Sequence, residues 1–300
     1  MIKRILVPLD GSDLAESTLP YVEQIATKTG AEVLLLTSVF QDDSWAGHPA
    51  PVDHKWVPLI QTYLESKAQE LRAKGIAAKN DIASGPAAEA ILARVADENV
   101  DLIAISSHGR SGVTRWVLGS VAYKVLHANL CPTLLVRPTP LSAGATKASA
   151  IGKILVPLDG SEHSLAVLPF IEDLAKAIDA SLVLLHVVSP PATYVGIAAG
   201  FITMGDTLDQ QLEWAKQFLA RIVKEVKRRG LRASQVVVVG LGASDIVQVA
   251  QHEEADLIAL STHGSSGLAR WVMGSVADGV VHQTKLPCLV VRPPGAKSQS

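Results

Sequence analysis

Residues 5–12 read ILVPLDGS, and residues 154–161 read ILVPLDGS again. A second pair of stretches follows: residues 107–122 (SHGRSGVTRWVLGSVA) are echoed by residues 262–277 (THGSSGLARWVMGSVA). Asp10 therefore recurs as Asp159 and Gly119 as Gly274, with extra residues between the two motifs of the second copy. One domain has been duplicated within a single chain. The parts kept alike are a Pro-Leu-Asp-Gly-Ser turn and a glycine-bracketed loop, so any chemistry is sought there.

Each copy alternates short β-branched runs with longer amphipathic stretches. In the first half the spacing predicts strands over 2–8, 32–40, 77–84, 101–106 and 132–136, and helices over 12–29, 57–74, 87–98 and 120–128. In the second it predicts strands over 153–156, 181–188, 233–239, 256–260 and 288–291, and helices over 164–178, 208–229, 243–252 and 275–283. Strands that are apolar almost throughout, alternating with helices, imply a parallel sheet covered on both faces. The expected architecture is α/β: two tandem five-stranded parallel sheets with helices on both faces. The domains are expected at 1–138 and 151–294, joined by a linker at 139–150 of small, polar and proline-containing composition, with a tail at 295–300. Two connections, 41–55 and 189–206, exceed ordinary turns; either covers the other half of the chain or a ligand.

Composition narrows the function. The chain has 300 residues, 48% of them hydrophobic, a formal net charge of −2 and a pI near 6.5. No basic stripe offers a footprint for nucleic acid, and no apolar run approaches the roughly 20 residues that span a bilayer. The start MIKRILVPLD passes at once into a strand and a turn, which makes a poor signal peptide. Cys131 and Cys288 do not occupy matching positions, form no CxxC, and read as small buried residues beside a strand. A cytoplasmic protein is the expectation.

Two readings of the turn are open. A carboxylate at the carboxyl end of the first strand, Asp10 or Asp159, faces the crevice where such folds bind ligands, and can accept from ribose hydroxyls or help hold a divalent cation. It can equally bond its own backbone ahead of a helix capped by Ser12 or Ser161. The loop offers the same choice. His108-Gly109 is followed after nine residues by Gly119-Ser120, and His263-Gly264 after nine by Gly274-Ser275. Glycines let backbone approach an anion, and a helix opening at Ser120 or Ser275 presents free N–H groups to phosphate. The two serines either bond phosphate or cap; Ser275 with Asp278 has the pattern of a capping box.

These motifs, with the closing strands CPTLLVRP and LPCLVVRP, resemble those of the universal stress proteins, over nearly the whole of both halves. The resemblance implies a Rossmann-like, adenine nucleotide α-hydrolase-like domain of sheet order 3-2-1-4-5 that dimerises, so that the two halves form an internal pseudo-dimer. It implies ATP, with Mg²⁺ carried on the phosphates and Asp10 or Asp159 near it, in the branch whose loop reads G-x2-G-x9-G-[ST]. Here the first glycine is replaced by Ser106 and Ser261. Carried over position by position, the nucleotide site comprises Asp10, Val39, Ile105, Gly109, Gly119, Ser120 and Val121 in one half. In the other it comprises Asp159, Val187, Leu260, Gly264, Gly274, Ser275 and Val276, and the backbone of Val39 and Val187 would meet the adenine edge.

His108 and His263 are read as structural, since no Ser-His-Asp or Cys-His constellation repeats around them. Arg115 and Arg270 either reach phosphate or pair elsewhere, while Arg110 becomes Ser265 in the second copy. Trp116 and Trp271 are read as packing anchors. His186, taken to replace Ser38, is read as a core histidine. No P-loop, no GxGxxG after the first strand and no cluster with catalytic metal spacing is present. The expectation is a nucleotide-responsive regulator and no enzyme, with no catalytic residue assigned. The alternatives are a nucleotide-free stress protein acting through protein–protein contacts and a slow ATPase. Association of two chains is a further expectation.

Overall fold

A computed structural model describes residues 2–39, 56–107, 118–128, 130–137, 150–190, 204–262 and 273–292. The first strand, β1 (Arg4–Pro8), buries Ile5, Leu6 and Val7 completely, because both of its faces are covered. The predicted helix after it is broken in two, α1 (Asp13–Glu16) and α2 (Leu19–Thr29). Pro20 is the cause: it has no N–H for an intrahelical bond and its ring would strike the carbonyl four residues back, so it sits in the first turn of a new helix. The second half breaks at Pro169 for the same reason, into helices over Glu162–Leu165 and Leu168–Ile178.

The first half continues with β2 (Glu32–Val39), α3 (Trp56–Ala73), β3 (Ala78–Ser84), α4 (Ala87–Asp97), β4 (Leu102–Ser106), α5 (Ser120–Ala128) and β5 (Thr133–Val136). The second comprises β6 (Lys153–Pro157), α6 (Glu162–Leu165), α7 (Leu168–Ile178), β7 (Ser181–Val188), α8 (Met204–Arg228), β8 (Ala233–Val239), α9 (Ala243–His252), β9 (Leu257–Ser261), α10 (Ser275–Gln283) and β10 (Cys288–Val291). Each half has the order 3-2-1-4-5, all parallel.

The two sheets do not stack. They join edge to edge, β5 against β10, antiparallel, in one ten-stranded sheet of order β3-β2-β1-β4-β5-β10-β9-β6-β7-β8. Leu134 faces Leu289 and Leu135 faces Cys288 across the join. Alternation along the strands sends Ile5, Val7, Leu134 and Leu289 to a core under α2, α3, α7 and α8, and Leu6, Leu135 and Cys288 to a core under α4, α5, α9 and α10. Both cores run through both halves. Polar contacts fasten the join as well: Gln24 Nε2 donates to the Ile151 carbonyl at 3.0 Å, its Oε1 accepts from the Ile151 N–H at 2.7 Å, and Arg137 donates to the Val281 carbonyl at 3.0 Å. Cys131 and Cys288 are buried free thiols, and burial pushes each up to about 12. Among the described residues no helix is long and apolar enough to cross a membrane.

Candidate nucleotide site

The carboxyl ends of β1, β2 and β4 converge with the start of α5. Beyond β1, the Leu9 N–H donates to the Leu36 carbonyl at 2.8 Å, and the Leu9 carbonyl accepts from Thr37 Oγ1 at 2.7 Å. These bonds extend the pairing past the strand and fix where the turn begins. At Asp10, Oδ1 accepts from the Ser12 N–H at 3.0 Å and from Ser12 Oγ at 2.6 Å; Ser12 Oγ in turn accepts from the Ala15 N–H at 3.2 Å, capping α1. Gly11 between them has φ +81°, a backbone that favours glycine. Asp159, Gly160 and Ser161 repeat the arrangement, with bonds of 3.0 and 2.6 Å, φ +87° and a 3.1 Å cap to the Ser164 N–H. The turn-building role of both aspartates is thus realised.

The glycine loop closes on the end of the fourth strand. In the first half the Ser107 N–H donates to the Val136 carbonyl, and the Ser107 carbonyl accepts from the Gly119 N–H, both at 2.8 Å. Thr262 does the same with Val291 and Gly274, at 3.1 and 2.8 Å. With the Gly119 N–H tied to the strand, α5 begins, and the Tyr123 N–H donates to the Gly119 carbonyl at 2.8 Å. The N–H groups of Ser120, Val121 and Ala122 precede the first intrahelical bond, as the first donors of any helix do. The expected capping box of Ser275 and Asp278 does not form. Gly274, with extended backbone, is the N-cap of α10; it has no side chain to accept a bond, Ser275 is already inside the helix, and Asp278 approaches His282 Nδ1 at 3.4 Å instead.

In the first half these elements enclose a cavity of about 660 Å³. Its walls include Asp10, Val39, Ile105, Gly119, Ser120 and Val121, six of the seven residues carried over from the sequence resemblance. Gly109, and with it His108, Arg110, Arg115 and Trp116, lies outside the described residues. Sequence reading missed Thr37 and Ser38, which precede Val39 on β2, and Trp56, Ile60 and Ala87, which close the side from α3 and α4. Asp10 is the only charged residue among the described lining; the rest is apolar or hydroxylic. Ser106 lines the wall and is buried. Among the described residues no group of three or more His, Cys, Asp or Glu side chains is placed to hold a metal.

In the second half Asp159, Leu260, Gly274, Ser275 and Val276 stand at the matching places, while Gly264, His263, Ser265, Arg270 and Trp271 lie outside the described residues. One position is corrected. Gly85 donates to the Val39 carbonyl at 3.1 Å and Gly240 to the Val188 carbonyl at 3.0 Å, so Val188, one residue beyond Val187, corresponds to Val39. The same register makes His186 the counterpart of Thr37 rather than Ser38. Its Nδ1 lies 2.7 Å from the Leu158 carbonyl, the bond that Thr37 makes to Leu9. His186 is buried, as a core histidine should be. The linker and the connections 41–55 and 189–206 lie largely or wholly outside the described residues.

Comparison with known proteins follows the duplication. The model of the Universal stress protein family matches the chain twice, over residues 1–137 and 150–292. A universal stress protein of Methanocaldococcus jannaschii is 31% identical over 144 residues, covering 47% of this chain and 82% of its own. One from Mycolicibacterium smegmatis is 23% identical over 310 residues, 96% of this chain and 97% of its own. The crystal structure of a universal stress protein from Archaeoglobus fulgidus superposes with a TM-score of 0.69 at 21% identity, over 98% of this chain and 97% of that one.

Proposed function

Because the chain belongs to the universal stress protein family, as two fused copies, we propose that it is a nucleotide-responsive regulator that binds ATP in the cleft of its first half. The observation that carries this reading is the cavity of about 660 Å³ onto which Asp10, Val39, Ile105, Gly119, Ser120 and Val121 converge. The volume lies within the roughly 300–1,000 Å³ usual for small-ligand sites. Its chemistry suits the parts of a nucleotide: apolar walls at Trp56, Ile60 and Ile105 for a purine, the Asp10 carboxylate for ribose hydroxyls, and the N-terminal N–H groups of α5 for phosphate. Mg²⁺ would travel with the phosphates and neutralise part of their charge.

The proposed role is binding rather than turnover. The carboxylate in the described lining, Asp10, already has one oxygen engaged by Ser12, which suits it to orient a ligand rather than to activate water. Ser106, buried in the wall where the nucleotide-binding pattern has glycine, favours a second reading, a stress protein that works through protein contacts without nucleotide. Calorimetric titration of MgATP into the nucleotide-stripped chain separates the two. Saturable binding, weakened about tenfold by Asp10→Ala (about 1.4 kcal/mol), supports the first; a flat trace up to millimolar nucleotide refutes it.

A further inference from the structure

The two clefts differ where a ligand would enter. At the place of Thr37, which lines the first cavity, the second half has the larger ring of His186, held at 2.7 Å from the Leu158 carbonyl. Against it lies the indole of Trp214, edge on, with ring centroids 5.5 Å apart, and Phe218 stacks on Trp214 at 5.1 Å with planes 2° apart. Trp214 also covers the aspartate turn: its ring reaches within 2.9 Å of where a Cβ on Gly160 would stand. Counting back from the glycine that ends each helix, the first-half counterparts of Trp214 and Phe218 are Leu59, which is 61% exposed, and Tyr63, whose hydroxyl donates to Glu16 at 3.0 Å. α8 thus sets an aromatic pair, with Trp214 48% exposed, beside its turn, where α3 has Leu59 and Tyr63.

The helix entry differs as well. Where Ala87 lines the first cavity, the second half has Gly242, and Asp245 stands where the first half has Ala90. Asp245 Oδ2 accepts from the N–H groups of Leu241 at 2.8 Å and Gly242 at 3.1 Å. A carboxylate thus satisfies the donors at the start of α9, the counterpart of α4.

We propose that nucleotide binding is confined to the first half: the chain takes one adenine nucleotide, and in the second half the side chains of His186 and Trp214 take up the space of the purine. This rests on the nucleotide reading of the first cleft. The test is MgATP calorimetry on the stripped full-length chain, joined to photolabelling with 8-azido-ATP and peptide mapping. One equivalent per chain is expected, with label confined to peptides from residues 1–137 and all binding weakened at least tenfold by Gly119→Val, which puts a branched side chain at the cavity wall. Two equivalents, label in residues 150–292, or an equivalent persisting in Gly119→Val overturns the confinement while leaving the nucleotide reading intact. No binding in the unaltered chain overturns that reading and the confinement together. The double variant His186→Thr, Trp214→Leu transplants the first-half residues and keeps a hydroxyl for the Leu158 carbonyl. It is expected to gain a second equivalent; a count still at one overturns the assignment of the filling to these side chains.

Discussion

Replacing Gln24 by alanine removes an amide that reads both backbone groups of Ile151 across the join between the halves. The two bonds measure 3.0 Å and 2.7 Å, and Ile151 is only 1% exposed. A hydrogen bond contributes about 0.5–1.5 kcal/mol net, and a buried group deprived of its partner costs about 1–3 kcal/mol. Two bonds at one shielded site give about 2–4 kcal/mol. Over 300 residues the entropy of unfolding makes each kcal/mol about 1.6 °C, so the midpoint is expected to fall by about 3–6 °C. Urea unfolding followed by far-UV circular dichroism gives the free energy, thermal scanning the midpoint. Gln61→Ala, which removes an exposed bond to Asn80, is the control and is expected to stay within about 0.5 kcal/mol. A Gln24→Ala chain as stable as that control would show that water replaces the amide and that the join does not depend on it.

Gly160→Ala is expected to cost about 1–2 kcal/mol, from a side chain placed at φ +87° and a Cβ 2.9 Å from Trp214. In a double-mutant cycle with Trp214→Leu a coupling of about 0.5 kcal/mol or more should appear, and additivity would refute the contact. Thr37→Val keeps the shape of the residue but takes a buried donor from the Leu9 carbonyl, and a loss of about 1–2 kcal/mol in urea unfolding is expected; no loss would mean that carbonyl needs no such donor. The thiols of Cys131 and Cys288 stand raised to about 12 from an ordinary 9.0, so the unfolded chain releases their protons first. Their contribution is whole below pH 9 and is lost as pH rises toward 12, at about 1.4 kcal/mol per pH unit per thiol. Urea midpoints measured from pH 8 to 10.5 should fall less steeply in Cys131→Ser, Cys288→Ala, and thiol reagents that label the native chain at pH 8 would contradict the burial.

The duplicated motifs made the fold and most of the first cleft readable, because those residues act through neighbours close in sequence: Asp10 with Ser12, Gly119 with the helix it opens. Strand ends were placed to within a residue or two by apolar runs that stop at Pro8, Gly85 or Gly240. Four things were hidden. The helix break at Pro20 follows from backbone sterics that an amphipathic pattern passes over. The correspondence of Val39 with Val188 rests on the hydrogen bonds that Gly85 and Gly240 donate to their carbonyls, which no residue type announces. The packing of Trp214 on Gly160 joins residues far apart in the chain, and nothing local to either marks it. The edge-to-edge join was equally silent, since Leu134 and Leu135 look like any buried strand until Leu289 and Cys288 are set beside them.

That join bears on what mutation can do to the molecule. Where two identical chains assemble, one codon change alters both clefts at once, and a side chain that blocks one blocks the other. With both copies written in a single gene, the seam asks that Leu134 and Leu135 continue to fit Leu289 and Cys288 and that Gln24 and Arg137 keep their partners. Everything beyond the seam is inherited separately, so a threonine at position 37 and a histidine at position 186 can serve different ends in one polypeptide.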